Sequence, residues 1–399
     1  MGNTISLLLG SGFSVADGIP LISEVNKKIG EITENDIYIH SDMTASLVQK
    51  DSTINFRINK KDELFFVEFL KFYSTTILKN PSDFNYEILF DYLTAYSRFD
   101  KHFDEVHNFC EEFRNKYTSH LDFIDSDDNL IFHFKTYFST IVSSYFQTAR
   151  HYEDISLGNY PPYDNFISFL QQVIKSSNVR VHSLNHDLLF EHIASKASNL
   201  WQYFTDGYEE LGSPYYGEVY TRQGINKSYR VRLKQFTNNF KNQLAYYKLH
   251  GSIDCYVADI SSADQTRIKK DYGVSQIYQE HKDPNTNDYS YKSAFQHVYP
   301  DFLSGTTSKI VQYNIPYYQN LIEQFKSNLK ESNILFVIGY GFKDEGINNI
   351  LVSNFLADGK KMVVIDIIKP LSSLVTDFNV NVIEKPFIQV SYSEFMAEL

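Results

Sequence analysis

Short, largely apolar runs alternate with amphipathic stretches along most of this chain. Ile5–Leu9, Val179–Leu184, Tyr246–Leu249, Ile334–Ile338 and Met362–Ile367 read as buried strands, with Val380–Ile383 as a fifth after the first. Runs of this length, bounded by polar or glycine residues, suit a parallel sheet covered on both faces. Between them lie stretches with helical spacing. Ile22, Val25, Ile29 and Ile32 mark one, Phe166 to Ile174 another, Leu188, Leu189, Glu191 and Ile193 a third, and Ile347 to Phe355 a fourth. Residues 62–150 are mostly helical in pattern. Leu64, Val67, Leu70 and Phe72 form one apolar face there. Ile88, Leu89, Tyr92, Leu93 and Tyr96 form another, and Ile131, Phe134, Tyr137, Phe138, Ile141 and Tyr145 a third. The pattern predicts the α/β class: a Rossmann-like parallel sheet with helices on both faces, plus a mostly helical insertion. We expect one domain over 1–399, with the helical insertion at 35–160 and an irregular, tyrosine-rich insertion at 205–330.

Composition narrows the function classes. A formal net charge of −12 argues against strong, direct nucleic-acid binding. Lys227, Arg230, Arg232 and Lys234 are read as a solvated hairpin face. Two cysteines, Cys110 and Cys255, exclude a disulfide framework and a four-cysteine zinc site. No apolar run approaches 18 residues, and no basic leader with an apolar core opens the chain, so we expect a cytoplasmic protein with no membrane partner. The 32 Phe and 30 Tyr suit large aromatic contacts between helices and do not by themselves indicate a ligand.

Four polar clusters follow apolar strands, where open parallel sheets bind ligands. They are Gly10–Ser14, Asn185–Asp187, His250–Ser252 and Gly339–Phe342. Gly10 and Gly12 either close a tight turn or let the backbone approach a pyrophosphate, with a helix N-terminus behind it. Ser11 and Phe13 lie within that turn. Ser14 either caps the following helix or faces a phosphate or ribose. Asp17 reads as a solvated turn residue. Asn185 is a helix cap or orients a water or a ribose hydroxyl. Asp187 is a cap or binds a ligand amide. His186 between them is read as noncatalytic. His250 is either a buried, hydrogen-bonded histidine or a general acid–base, for which its ordinary pKa near 6.5 is suited. Gly339 and Gly341 suggest further close backbone approach. Asp366, late in its strand, is a strand-end residue or an acceptor for a ribose.

Gly10-Ser-Gly-Phe-Ser14 with Gly18-Ile-Pro20 is similar to the sirtuin Gly-Ala-Gly-x-Ser and Gly-Ile-Pro signature. Asn185-His186-Asp187 resembles the sirtuin Asn-Ile-Asp segment, and Leu249-His250-Gly251 the segment with the sirtuin catalytic histidine. Gly339-Tyr-Gly-Phe with Asp344 to Asn348 resembles the sirtuin-like branch of bacterial antiphage defence. There are departures. The paired cysteines of the deacetylase zinc module are missing, Leu21-Ile22-Ser23 follows Gly-Ile-Pro, and Leu184 precedes Asn185.

The resemblance implies an NAD+ glycohydrolase that uses NAD+ as substrate, with no metal, as the NAD-depleting effector of an antiphage (abortive infection) system. It implies Asn185 and His250 as catalytic, and Gly10, Ser11, Gly12, Phe13, Ser14, Asp187, Gly339, Gly341 and Asp366 as dinucleotide-binding. It also implies control by homo-oligomerisation or by a partner, a HerA-type ATPase or an Argonaute-type protein. The rival readings are a sirtuin-like module that senses a nucleotide without cleaving it, and an NAD-dependent protein deacylase, which the missing zinc module disfavours.

Overall fold

The structure, a computed structural model, describes residues 3–40, 44–48, 60–98, 103–117, 126–147, 161–196, 199–221, 227–258, 266–271, 274–294, 299–302 and 315–399. Parts of the two expected insertions, among them 49–59, 148–160 and 303–314, lie outside the described residues. The chain divides into two compact units. One comprises Met1–Ile19, Gln147–Gln296 and Gln312–Leu399, the other Pro20–Phe146 with His297–Val311.

The first unit is built on a seven-stranded, all-parallel sheet. Its order is Val380–Glu384, Lys361–Asp366, Ile334–Ile338, Asn3–Leu9, Ser177–Ser183, Leu244–Lys248, Phe204–Thr205. This is the Rossmann-like sheet that the apolar runs predict. The two-residue edge strand at Phe204 is too short to leave a pattern. Register fixes two buried faces. Leu8, His182 and Val337 stand level on adjacent strands, as do Leu7, Val181 and Phe336 one residue earlier. Phe336 packs on Phe169 and Phe395, from helices Asp164–Val173 and Tyr392–Glu398. His182 packs on Phe325 of helix Pro316–Glu331, on the opposite face. Helices therefore cover both sides, as parallel strands require.

Strand order reverses between Asn3–Leu9 and Ile334–Ile338. From the first strand the chain moves one way, to Ser177–Ser183, and later returns on the other side. A crevice at the carboxyl ends of such a pair is where doubly wound sheets place ligands. The glycine turn and Gly339 leave the sheet at that point.

Residues 205–330 are more regular than expected. Described segments form two four-stranded antiparallel sheets, one of Cys255–Ala258, Thr266–Lys269, Lys234–Asn239 and Gly207–Glu209, the other of Tyr289–Ser293, Val274–Lys282, Tyr215–Thr221 and Lys227–Arg232. Tyrosine favours strands, and the alternation is blurred because tyrosines stand on both faces, as adjacent Tyr215, buried, and Tyr216, half-buried, do. One buried cluster, which includes Tyr215, Leu233, Ile268, Val274 and Ile277, draws on both sheets. Lys227, Arg230 and Arg232 do lie on a hairpin strand. Arg230 stacks on Tyr278 and Tyr291, and Arg232 on Tyr216.

The second unit is mainly helical, with helices Ile22–Gly30, Lys60–Phe72, Tyr86–Arg98, Asp104–Tyr117 and Asp127–Tyr145 and a small hairpin of Ile37–Ile39 and Ala45–Leu47. It begins at Pro20, earlier than the expected insertion. The helix after the glycine turn therefore groups with this unit. The buried face of Lys60–Phe72 is Phe65, Phe66, Phe69 and Leu70, where the spacing suggested Leu64, Val67, Leu70 and Phe72. The larger aromatic rings take the core, stacking against Phe109, Phe113 and Phe134. They bury more area per residue than the aliphatics they displace. Ile88 is likewise exposed, while Leu89 and Leu93 are buried.

Candidate functional site

Asn3–Leu9 leads into Gly10, then into two short 3-10 turns, Ser11–Phe13 and Val15–Asp17. Two loops meet back to back here. Gly12 N donates to Gly339 O at 2.9 Å. A Cβ on Gly12 would lie 2.7 Å from Gly339 Cα, and one on Gly339 would lie 2.5 Å from Gly12 Cα. Gly339 also has φ +62. Both positions need glycine so that one backbone can lie against the other. Gly10 is equally confined, its Cβ position 2.5 Å from Gly339 O. Gly341 differs: a Cβ there meets nothing within 4 Å of the chain.

Three side chains tie the turn to the neighbouring strand end. Asn185 Nδ2 donates to Gly10 O at 2.8 Å and to Ser14 Oγ at 3.1 Å. A carbonyl only accepts, so the first contact sets the orientation of the carboxamide. Ser14 Oγ in turn donates to Asp187 Oδ2 at 2.8 Å. Asp187 Oδ1 accepts from Leu189 N at 2.9 Å, at the start of helix Leu189–Lys196. Ser14 is thus the bridge between Asn185 and Asp187, and its side chain caps no helix. Asn185 Oδ1 accepts no bond among the described residues.

Phe13, expected at the dinucleotide, has its side chain in the aromatic core, 1 % exposed. Its ring lies 5.1–5.6 Å from those of Tyr163, Phe166 and Phe387. Its carbonyl accepts from Tyr163 OH at 2.9 Å. Only its backbone faces the turn. Ser11 is exposed. Asp17, expected in solvent, is buried, because the second 3-10 turn folds it inward before Gly18.

His250 lies just beyond strand Leu244–Lys248 and is 4 % exposed. Its Nε2 is 3.4 Å from Asp344 Oδ2. Asp344 is the N-cap of helix Glu345–Asn354, its Oδ1 accepting from Ile347 N at 3.1 Å. Tyr340 OH lies 3.0 Å from both Asp344 O and Asn348 Oδ1, with one proton to donate to either, and accepts from Asp344 N at 3.2 Å, so the loop after Gly339 is internally braced. The His186 ring centroid is 6.4 Å from that of His250. Asp366 ends its strand with Oδ1 accepting from Ile367 N at 2.7 Å, and burial pushes its carboxyl up.

Beneath the Asn185 loop lies a buried charge cluster. Lys248 Nζ donates to Asn185 O at 3.1 Å and to Asp187 O. Glu191 Oε1 is 3.6 Å from both Lys248 and Lys269, and Lys269 also pairs with Asp206 at 2.7 Å and Asp254 at 3.4 Å. Burial pushes Glu191 up against the pull of the two lysines. Burial also acts to raise Asp206, but the Lys269 ammonium outweighs it and holds that carboxyl below its usual range.

No protein-family model matches the chain, and no curated protein matches it in sequence. Among solved structures it is similar to a mutant Sir2 homologue in complex with 2'-O-acetyl ADP ribose, at 10% identity and TM-score 0.38, covering 100% of this chain and 92% of that one. It is also similar to a Sir2 homologue in complex with NAD, at 10% identity and TM-score 0.37, covering 100% and 90%. The strand order of the parallel sheet defines the fold.

The structure brings Gly10, Gly12, Ser14, Asn185, Asp187 and Gly339 into direct contact, and sets His250 on the adjacent strand end. Asp344 entered the sequence reading only as part of a motif. Its cap position, before an apolar helix, is the signal that could have placed it. Lys248 and Lys269 were not singled out. A lysine ending a strand normally carries its charge to water, and nothing local shows otherwise. Among the described residues, no cluster of three His, Cys, Asp or Glu side chains could hold a metal ion, and no helix is long and apolar enough to cross a membrane.

Proposed function

We propose that the chain hydrolyses NAD+ to nicotinamide and ADP-ribose. The observation that supports this best is the Ser14 bridge, which joins the glycine turn to Asn185 and Asp187 at the strand-order reversal. In this reading the turn at Gly10–Ser14 holds the phosphates and nearby ribose, and the Asn185 Oδ1 orients the attacking water or a ribose hydroxyl. The bond from ribose C1′ to the nicotinamide nitrogen breaks, and its electron pair leaves with neutral nicotinamide. Water oxygen bonds to C1′, and its proton passes to His250 and then to solvent. Asp344, facing Nε2, stabilises the imidazolium that forms. Asp187 already spends both oxygens within the chain, so its part is to hold Ser14 and the loop, with any contact to the nicotinamide amide added to that. Gly339, Gly341 and Asp366 line the adenosine side.

The wider role proposed is that of an NAD-depleting effector in antiphage defence, held in check by self-association or by a HerA-type ATPase or Argonaute-type partner. Its support is the resemblance of the Gly339–Asn348 segment. The second reading is a nucleotide-sensing module, with which the bonded Ser14, Asn185 and Asp187 are equally compatible. Incubating the purified chain with NAD+ and separating the products chromatographically decides between them. Nicotinamide and ADP-ribose accumulating catalytically support hydrolysis. Bound NAD+ recovered intact supports sensing.

A further inference from the structure

Lys248 is buried, 5 % exposed, and lies on the sheet face shared with Tyr246 and helix Leu189–Lys196. Its ammonium donates to the carbonyls of Asn185 and Asp187. The carbonyl between them, on His186, accepts from Ile253 N at 3.1 Å. All three carbonyls of the loop are therefore held by the strand and turn that carry His250. An unpaired buried ammonium is costly. Here the cost is offset by two carbonyls and by Glu191. A neutral donor could not serve two acceptors and an ion pair at once, whereas an ammonium has three N–H groups.

We infer that Lys248 is the positioning residue that fixes the Asn185–Asp187 loop relative to His250, clamping it through backbone carbonyls. The link to turnover rests on the proposed hydrolysis. The clamp itself does not. Lys248 touches no reacting atom in this scheme. It acts by keeping Asn185 within reach of the crevice, where a displacement of about 1 Å can cost on the order of 100-fold in rate.

The test compares Lys248→Met with the double variant Lys248→Met/Glu191→Gln. The single variant removes the clamp and also leaves Glu191 without one of its cations. The double variant relieves that charge imbalance but restores no donor to the carbonyls. Backbone amide exchange across 184–189 is read alongside kcat and KM for NAD+. Expected for both variants is exchange at least tenfold faster in that segment than in wild type, with the Asn3–Leu9 and Ile334–Ile338 strands unchanged, and kcat lowered about 100-fold with KM within about threefold. Partial recovery of loop protection and kcat in Lys248→Arg, which keeps a cation with several donors, supports the clamp further. A folded double variant with wild-type exchange over 184–189 and wild-type kcat overturns the inference, since Lys248 would then serve charge balance alone. If wild type itself releases no nicotinamide, the hydrolysis reading fails while the exchange comparison still decides the clamp.

Discussion

His182 and His250 are almost equally buried, one inside a strand and the other just past the end of the neighbouring strand, yet their partners differ. His182 sits inside the sheet. Its Nδ1 donates to Leu7 O at 3.2 Å, and its Nε2 accepts from Asn328 Nδ2 at 3.1 Å. Both partners are neutral, and burial pushes its pKa down to about 3. That histidine is a fixed, uncharged packing element, stacked on Tyr247. His250 lies past the end of its strand and faces a carboxylate at 3.4 Å. A carboxylate partner favours the charged ring, and neutral partners do not.

Replacing His250 is the harshest test of that contrast. His250→Ala should lower NAD+ turnover by about 10²–10⁴-fold, the usual range for losing a general acid–base. Circular dichroism should show the same fold. Asn185→Ala should fall in the same range. Wild-type turnover in a folded His250→Ala protein would put this histidine in the same class as His182.

Gly339→Ala probes the contact between the two glycine loops. The left-handed φ costs about 1–2 kcal/mol for an L residue, and crowding against Gly12 adds about 1–3. Denaturant unfolding should therefore show a loss of about 2–5 kcal/mol. Gly341→Ala, whose Cβ meets no chain atom, should lose less than about 1 kcal/mol. If Gly341→Ala still weakens NAD+ binding, the space beside it belongs to the ligand.

These glycines show how far the sequence was legible. The strand–glycine pattern located the turn, and the apolar runs located the strands, because each signal is local. What the glycines do was not local. Gly12 is confined by Gly339, and no pattern at one loop reveals which loop will lie against it. The same holds for Lys248, whose acceptors lie on the neighbouring strand end, and for Phe13, which looked like part of a binding turn and is a core ring. The antiparallel strands of 205–330, apart from the hairpin face at Lys227–Lys234, are hidden for a different reason: tyrosines on both faces weaken the alternation.

Asp344→Asn tests the partner rather than the histidine. Asparagine keeps the cap oxygen for Ile347 N, so the helix start should survive. Only the negative charge facing His250 is lost. Turnover should drop about tenfold, near 1.4 kcal/mol, with the melting temperature nearly unchanged. A fall in stability without a fall in turnover would make the pair a structural ion pair and leave His250 without the feature that sets it apart.

The mildest test works on the other histidine, through pH. In the unfolded chain His182 titrates near 6.5, whereas in the fold its pKa is about 3. Between those values the unfolded state binds a proton that the folded state refuses, so stability falls as pH falls below about 6.5. From pH 7 to 5.5 this one group should remove about 1 kcal/mol. His182→Gln keeps a donor for Leu7 O and an acceptor for Asn328 but cannot titrate. Its unfolding free energy should lose about 1 kcal/mol less over the same interval, every other titrating group being common to both proteins. Equal slopes would mean that His182 takes up its proton inside the sheet, and that its neutral partners do not keep it uncharged.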